Sequence, residues 1–348
     1  MFTEAAPTGA RTRERKQAQG PAQDRSRGDA GCAAICRRLG EPLTGTAPAA
    51  ALGWLLVEHP GPWPAFGLPP DLPADLAHYS RGALEHGVRT QLIRRPDRTA
   101  RQARRPVLMV AGGPMGARWL ERRTLGDAGA LTDLDPAAFT GARRPGFGSP
   151  LEAALLVCTH GRREVCCARY GRPVAQALAE RFAPLVWETT HVGGDRFAAN
   201  LVVLPSGGYY GRLDPADAVR VAQAALDGRI DLDRYRGTAG LPEAAQAAEC
   251  MLRRALGAAG EAAVRYLGPE AAGADGTKPS QGSGVADAEA RAGADTDAHT
   301  ARFAVGGLGV RVVTLARHET AEPRLTSCGG GTVEAPAAYR LLAITSGG

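Results

Sequence analysis

Apolar residues in this chain come in short runs, broken by glycine, proline and charged positions. Trp54 to His59 (WLLVEH) predicts a compact strand, closed by Pro60-Gly61-Pro62. Leu72, Leu76, Tyr79 and Leu84 recur at helical spacing and predict a helix over 72–86. Strands are predicted at 88–93, 106–110 and 118–125, with the Gly112-Gly113-Pro114 turn between the last two. Upstream, residues 30–39 predict a short helix carrying Cys32 and Cys36.

The pattern starts again at Ala154. Leu155-Leu156-Val157 reads as a strand ending at Cys158, and a helix follows Cys167. Pro173 suits the first turn of that helix, and Val174, Leu178 and Phe182 supply its apolar stripe. The next strand spans 184–190, and 201–204 with 209–213 form a hairpin around Ser206-Gly207-Gly208. Asp214-Pro215 caps a helix that runs to Leu226 and stops at Gly228. An amphipathic helix at 242–256 places Cys250 and Leu252 in the core, and strand character returns at 310–315 and 339–344. Both halves therefore read strand, loop, helix, strand, glycine-turn hairpin, the signature of an α/β fold with an internal duplication.

Five regions follow. Residues 1–30 form a basic tail expected to be disordered, and 31–150 an N-terminal α/β half. Residues 151–236 are the second α/β unit, and 237–256 with 302–348 contribute a C-terminal helix and strands. Residues 257–301, dominated by Ala, Gly and Asp, are expected to be a disordered insertion.

Composition narrows the function classes. With 348 residues, 44% of them apolar, the chain can bury the core of two domains. The net charge of +6 is modest and partly held by Arg11, Arg13, Arg15, Lys16, Arg25 and Arg27 of the tail. No aromatic platform accompanies it, so nucleic acid is not an expected partner. No apolar run approaches the ~20 residues a bilayer requires, and the N-terminus lacks a secretion-signal pattern. Seven cysteines, odd in number and unevenly spread, do not resemble a disulfide framework. A cytoplasmic protein without membrane attachment is expected.

The informative chemistry lies in Cys158-Thr-His-Gly-Arg-Arg-Glu-Val-Cys-Cys167 and His191-Val-Gly-Gly-Asp195. Two thiols, an imidazole and a carboxylate make a four-point cage suited to iron. The thiols sit between a strand end and a helix start, where negative charge is favoured, and Arg162 and Arg163 are expected to help hold them ionised. Gly193 and Gly194 let the backbone pass close to a bulky inorganic group. The matching loop of the first half has no cysteines.

These motifs, with Pro205-Ser-Gly-Gly-Tyr-Tyr-Gly-Arg212 and Glu58-His-Pro-Gly-Pro-Trp63, resemble the sucrase/ferredoxin-like family over roughly residues 32–255. The resemblance implies a thioredoxin-like ferredoxin domain at 151–236, preceded by a second, duplicated thioredoxin-like half without ligands. It further implies one [2Fe–2S] cluster and single-electron transfer to a redox partner protein rather than enzymatic catalysis. Residue by residue, it assigns Cys158, Cys167 and His191 as ligands. The fourth position is Asp195, where cluster-bearing members have histidine in a His-x-Gly-Gly-His motif. Carboxylate is the harder and less suitable donor.

Each residue alone has a plainer reading. Cys158 is core at the end of an apolar strand, Cys166 or Cys167 is a packed thiol, and His191 is a structural histidine. Asp195 alone is a turn residue paired with Arg196. Cys32 and Cys36 read as packing residues, Cys328 as a loop thiol, and His160 as either a further contact or a supporting donor. Two other functions stay open: a thiol–disulfide oxidoreductase pairing Cys158 with Cys166 or Cys167, and a metal-free interaction protein. The missing Cys-x-x-Cys spacing counts against the oxidoreductase. The Gly112-Gly113 turn leads to a strand and so does not meet the dinucleotide fingerprint.

Overall fold

The computed structural model describes residues 31–97, 107–113, 117–124, 134–269, 298–319, 323–328 and 333–347. The basic tail and most of the Ala/Gly/Asp-rich segment lie outside the described residues.

Ten strands build one mixed sheet. The first half supplies β1 (Gly53–Glu58), β2 (Val88–Arg94), β3 (Val107–Gly112), β4 (Trp119–Thr124) and β5 (Ser149–Pro150). The second supplies β6 (Ala154–Cys158), β7 (Val186–Thr189), β8 (Leu201–Leu204), β9 (Gly208–Tyr210) and β10 (Tyr235–Thr238). They lie in the order β10-β9-β8-β6-β7-β2-β1-β3-β4-β5. In the first half β1 is parallel to β2 and antiparallel to β3, which is antiparallel to β4. In the second, β6 is parallel to β7 and antiparallel to β8, which is antiparallel to β9. The two runs meet edge to edge where Ile93 and Arg94 pair antiparallel with Thr189 and Glu188.

Helices α1 (Cys32–Arg38), α2 (Ala74–Glu85), α3 (Val165–Phe182), α4 (Pro215–Leu226) and α5 (Glu243–Leu256) complete the frame. The predicted strands and helices all form, with one shifted start. Pro173, expected in the first turn, lies inside α3, which begins at Val165 and so carries Cys166 and Cys167 in its opening turn. Proline there removes one backbone donor, a loss that burial of Val174, Leu178 and Phe182 against the sheet outweighs.

Central strands are buried along their whole length, as expected for a sheet covered on both faces. Alternation divides their side chains. Leu155 and Val157 join Val174, Leu178 and Val221 beneath α3 and α4. Leu156 and Cys158 point to the opposite face, among Trp54, Leu56, Met109, Trp187 and Tyr209 from both halves. Cys158 thus belongs to a core that the halves share.

The C-terminal part forms a second sheet, β11 (Val264–Gly268), β12 (Ala298–Val305), β13 (Gly309–Glu319) and, after the short pair β14 (Arg324–Leu325) and β15 (Val333–Glu334), β16 (Ala337–Ser346). Helix α5 packs on it through Ala245, Ala248 and Leu252 against Phe303, Val313 and Leu315. Residues 261–268, expected within a disordered insertion, instead form a 3-10 turn and strand β11, because Val264 and Tyr266 join that core.

Two features fix the cysteine-bearing parts. A Cβ at Gly171 of α3 would lie 2.1 Å from the Cys158 carbonyl oxygen, so only glycine lets the helix sit this close to the strand end. Buried Glu41 accepts from Arg196 Nε at 2.8 Å and from Arg324 Nε at 2.9 Å, tying segment 324–328 to the 195–197 turn. Burial pushes the Glu41 carboxyl up, but the charge of Arg196 outweighs it and holds the group below its ordinary value.

Gly171→Ala is expected to destabilise the chain by about 1–3 kcal/mol through overpacking. Gly82→Ala in α2, where a Cβ meets nothing within 4 Å, should be neutral or stabilising. Urea midpoints compare the two. For Glu41, a lowered folded pKa means stability present above the ordinary carboxylate range and lost as pH falls through it. Hydrogen exchange at 324–328 should therefore rise on acidification before global unfolding. Glu41→Gln should show the same rise at neutral pH, with a loss of about 3–5 kcal/mol from two stranded arginines.

Candidate metal centre

Strand β6 delivers Cys158 at its last position, held by a backbone hydrogen bond from its N–H to the Asn200 carbonyl at 3.1 Å. The loop 159–164 then turns straight into α3, whose first turn brings Cys167 back over the strand end. Neighbouring β7 ends at Thr189, and two residues later comes His191. The Sγ atoms of Cys158 and Cys167 and a ring nitrogen of His191 all lie within 4.8 Å of one another. Cys167 Sγ is 3.8 Å from His191 Nδ1. Three of the four expected ligands therefore converge from three separate elements.

Both sulfurs are 1% exposed, while His191 is half-buried and opens on a small surface pocket with Phe66, Leu68, Thr90 and Arg163. A hydrogen bond from Cys167 holds the Cys158 thiol well below its ordinary value despite burial, and the same contact pushes Cys167 up. Two soft sulfur donors and an imidazole fit iron or zinc and poorly suit hard cations.

The surroundings fix the imidazole. Gln91 Nε2 donates to the His191 carbonyl at 3.3 Å and Arg89 Nη1 to that of Val192 at 3.0 Å, both from β2 of the first half. The His191 N–H donates to His160 Nδ1 at 3.3 Å, while His160 Nε2 donates to the Pro64 carbonyl at 2.9 Å. Both His160 nitrogens are engaged with backbone, so it positions His191 and is not a further ligand.

Buried Arg236 binds the Gly193 carbonyl at 3.1 Å and Asn200 Oδ1 at 2.8 Å, and Asn200 Nδ2 donates to the Gly194 carbonyl at 2.8 Å. A Cβ at Gly194 would lie 2.3 Å from Arg236 Nη2, so this glycine makes room for a guanidinium and not, as expected, for an inorganic group. Arg236, Asn200, Arg89 and Gln91 carried no sequence signal as site residues, since their role depends on strands that pair across the chain.

Other expectations change. Arg196 pairs with Glu41, not Asp195. Asp195 is buried with Oδ2 at 3.3 Å from Cys32 Sγ, and burial together with nearby Glu164 pushes its carboxyl up. Arg162 is exposed and Arg163 lies over the Phe66 ring at 4.0 Å, so neither supports a thiolate directly. Cys250 is core, as expected, and Cys36 is buried with Arg212 Nη2 at 3.1 Å from its sulfur.

Cys166 faces away from Cys158 and into a second group. Its Sγ lies 3.7 Å from that of Cys32 and 3.1 Å from that of Cys328, and Cys328 Sγ is 3.1 Å from Cys32 Sγ. Hydrogen bonds from Cys32 and Cys328 pull the Cys166 thiol down to about 3 and push those of Cys32 and Cys328 up. Cys32 packs with Ala33 and Ala198 and Cys328 ends an exposed loop segment, as expected, and their sulfurs also meet at Cys166.

Comparison with known proteins agrees with the motifs. A 94-residue stretch is 35% identical to "Altered inheritance of mitochondria protein 32" of Meyerozyma guilliermondii, covering 24% of this chain and 33% of the relative. The chain thus spans about a third of that relative's length. A thioredoxin-like [2Fe–2S] ferredoxin from Aquifex aeolicus is 23% identical over 24% of this chain and 88% of its own. Its TM-score is 0.22, a superposition too poor to compare the two folds. Residues 89–237, which hold Cys158, Cys167, His191 and Asp195, match the sucrase/ferredoxin-like family model.

Proposed function

We propose that this chain is a single-electron carrier whose Cys158, Cys167 and His191 hold a [2Fe–2S] cluster. The observation that carries the reading is the convergence of those three donors, within 4.8 Å of one another, inside a sucrase/ferredoxin-like segment. When bound, such a cluster would supply one-electron chemistry, and an imidazole in place of thiolate raises its potential from roughly −400 mV toward roughly −150 mV or above. Asp195 is the proposed fourth group of the motif. Its carboxylate lies at the boundary with the second thiol group, so the three-residue set is the constant part of the ligation.

The protein's own contribution is positional and electrostatic. Burial of Cys158 and Cys167 keeps water from the sulfurs, and Gly171 sets the strand-to-helix distance that brings them together. His160, Gln91 and Arg89 hold the His191 loop so that its ring faces the sulfurs on one side and the surface on the other. That edge is where an electron would enter or leave. The neighbouring groove contains Arg94, Arg162, Arg169 and Arg172 beside Trp63, which supports a redox partner protein with an acidic face. The repeated strand order in the two halves supports a duplicated thioredoxin-like architecture, with the first half buttressing the His191 loop. Localisation in the cytoplasm is part of the proposal. Among the described residues no helix is long and apolar enough to cross a membrane.

A thiol–disulfide oxidoreductase would need Cys158 or Cys167 to meet a substrate disulfide, and their 1% exposure disfavours it.

Full-length protein isolated without air should contain about two irons and two acid-labile sulfides per chain, with visible charge-transfer bands. Cys158→Ser, Cys167→Ser and His191→Ala should each lose the bands, while Cys250→Ser, placed in the core, keeps them. Iron-free protein with a reversible Cys158–Cys167 disulfide would overturn the reading in favour of thiol chemistry. His191→Cys should retain a cluster but lower its midpoint potential in a redox titration, because a thiolate returns negative charge to the iron.

A further inference from the structure

Cys32, Cys166 and Cys328 lie 134 and 162 residues apart in sequence, yet their three sulfurs form one triangle with sides of 3.1, 3.1 and 3.7 Å. Three different pieces of chain are brought there. Cys32 opens α1, Cys166 sits in the first turn of α3, and Cys328 ends the segment that follows β14. Asp195 adds a carboxylate oxygen at 3.3 Å from Cys32 Sγ.

The placement is built by several contacts. Glu164, at the N-cap of α3, accepts from the Cys328 N–H at 3.1 Å and from Ser327 Oγ at 2.7 Å. The Cys32 N–H donates to Cys328 Sγ at 3.3 Å. The Glu41 pairs with Arg196 and Arg324 hold the flanking segments. Cys32 and Cys166 are buried, whereas Cys328 is exposed and gives an entry path from solvent.

We propose that Cys32, Cys166 and Cys328 form a second metal site, which binds one zinc ion and fastens α1 and segment 324–328 to α3. Three sulfurs supply three of the four donors that tetrahedral zinc takes. Metal–sulfur bonds of about 2.3 Å place sulfurs about 3.8 Å apart around one tetrahedral ion. The 3.7 Å side already matches, and the two 3.1 Å sides need to open by well under an ångström. The site is separate from the Cys158 centre, because consecutive residues Cys166 and Cys167 project in different directions from the helix.

Metal analysis of the full-length protein, with Cys158→Ser introduced to remove the other centre, decides the matter. Such protein should bind about one zinc per chain, and cobalt in place of zinc should give thiolate-to-cobalt charge-transfer bands and tetrahedral visible bands. Adding Cys328→Ser should reduce the zinc to well below half and abolish the cobalt bands. Because Cys328 is exposed, its substitution does not open the core. In the wild type, zinc should slow alkylation of Cys328 at least tenfold, and a chelator should restore the rate. Unchanged zinc content in Cys328→Ser, equal alkylation with and without zinc, or a Cys32–Cys328 disulfide in freshly isolated protein would each overturn the proposal. Iron and sulfide content reports on the Cys158 centre alone, so failure of one reading is distinguishable from failure of the other.

Discussion

Close contact between the second turn of α3 and the end of β6 is the constraint on which both thiol groups depend. At Gly171 the helix backbone comes so near the Cys158 carbonyl that no side chain fits between them. Having no Cβ, this residue allows an 18-residue helix to start immediately above a strand end. Consecutive helical residues point about 100° apart, so Cys166 and Cys167 serve different neighbourhoods from one turn. Cys167 joins the sheet core with Cys158, and Cys166 joins α1 and the C-terminal segment.

Electrostatics follows from that geometry. Each group places one sulfur, Cys158 or Cys166, as the acceptor of its neighbours' thiol protons, and each is held low for that reason. The α3 N-terminus favours charge on the sulfurs nearby. Asp195 and Glu164, both buried, oppose it by repulsion, and burial, with Glu164 nearby, raises Asp195 itself.

Much of the fold was legible because its elements are local. The continuous apolar run from Leu155 to Cys158 marks a buried strand, and Asp214-Pro215 marks a helix start whose carboxylate indeed accepts from the Asp217 N–H. Proline misled at one point, since Pro173 in the helix interior imitates a first-turn proline. Strand β11 was hidden because its cover, β12, follows a long intervening stretch of Ala, Gly and Asp. The Cys158, Cys167 and His191 set was readable from motif spacing within 34 residues of chain. Cys32 and Cys328 carried no such spacing. Their partner was signalled only by the Cys166-Cys167 doublet, which needs two destinations if neither sulfur is idle.

The same reasoning explains why Asp195 stands where the related motif has histidine. An imidazole at this position would serve the Cys158 centre alone, whereas a carboxylate is compact and offers two acceptor oxygens. In this chain the 195–197 turn lies against α1, with Asp195 Oδ2 on Cys32 and Arg196 on Glu41. The turn and the second thiol group thus belong to one arrangement, in which segment 327–328 packs on the start of α3 through Glu164 and on Cys32 and Cys166 through Cys328.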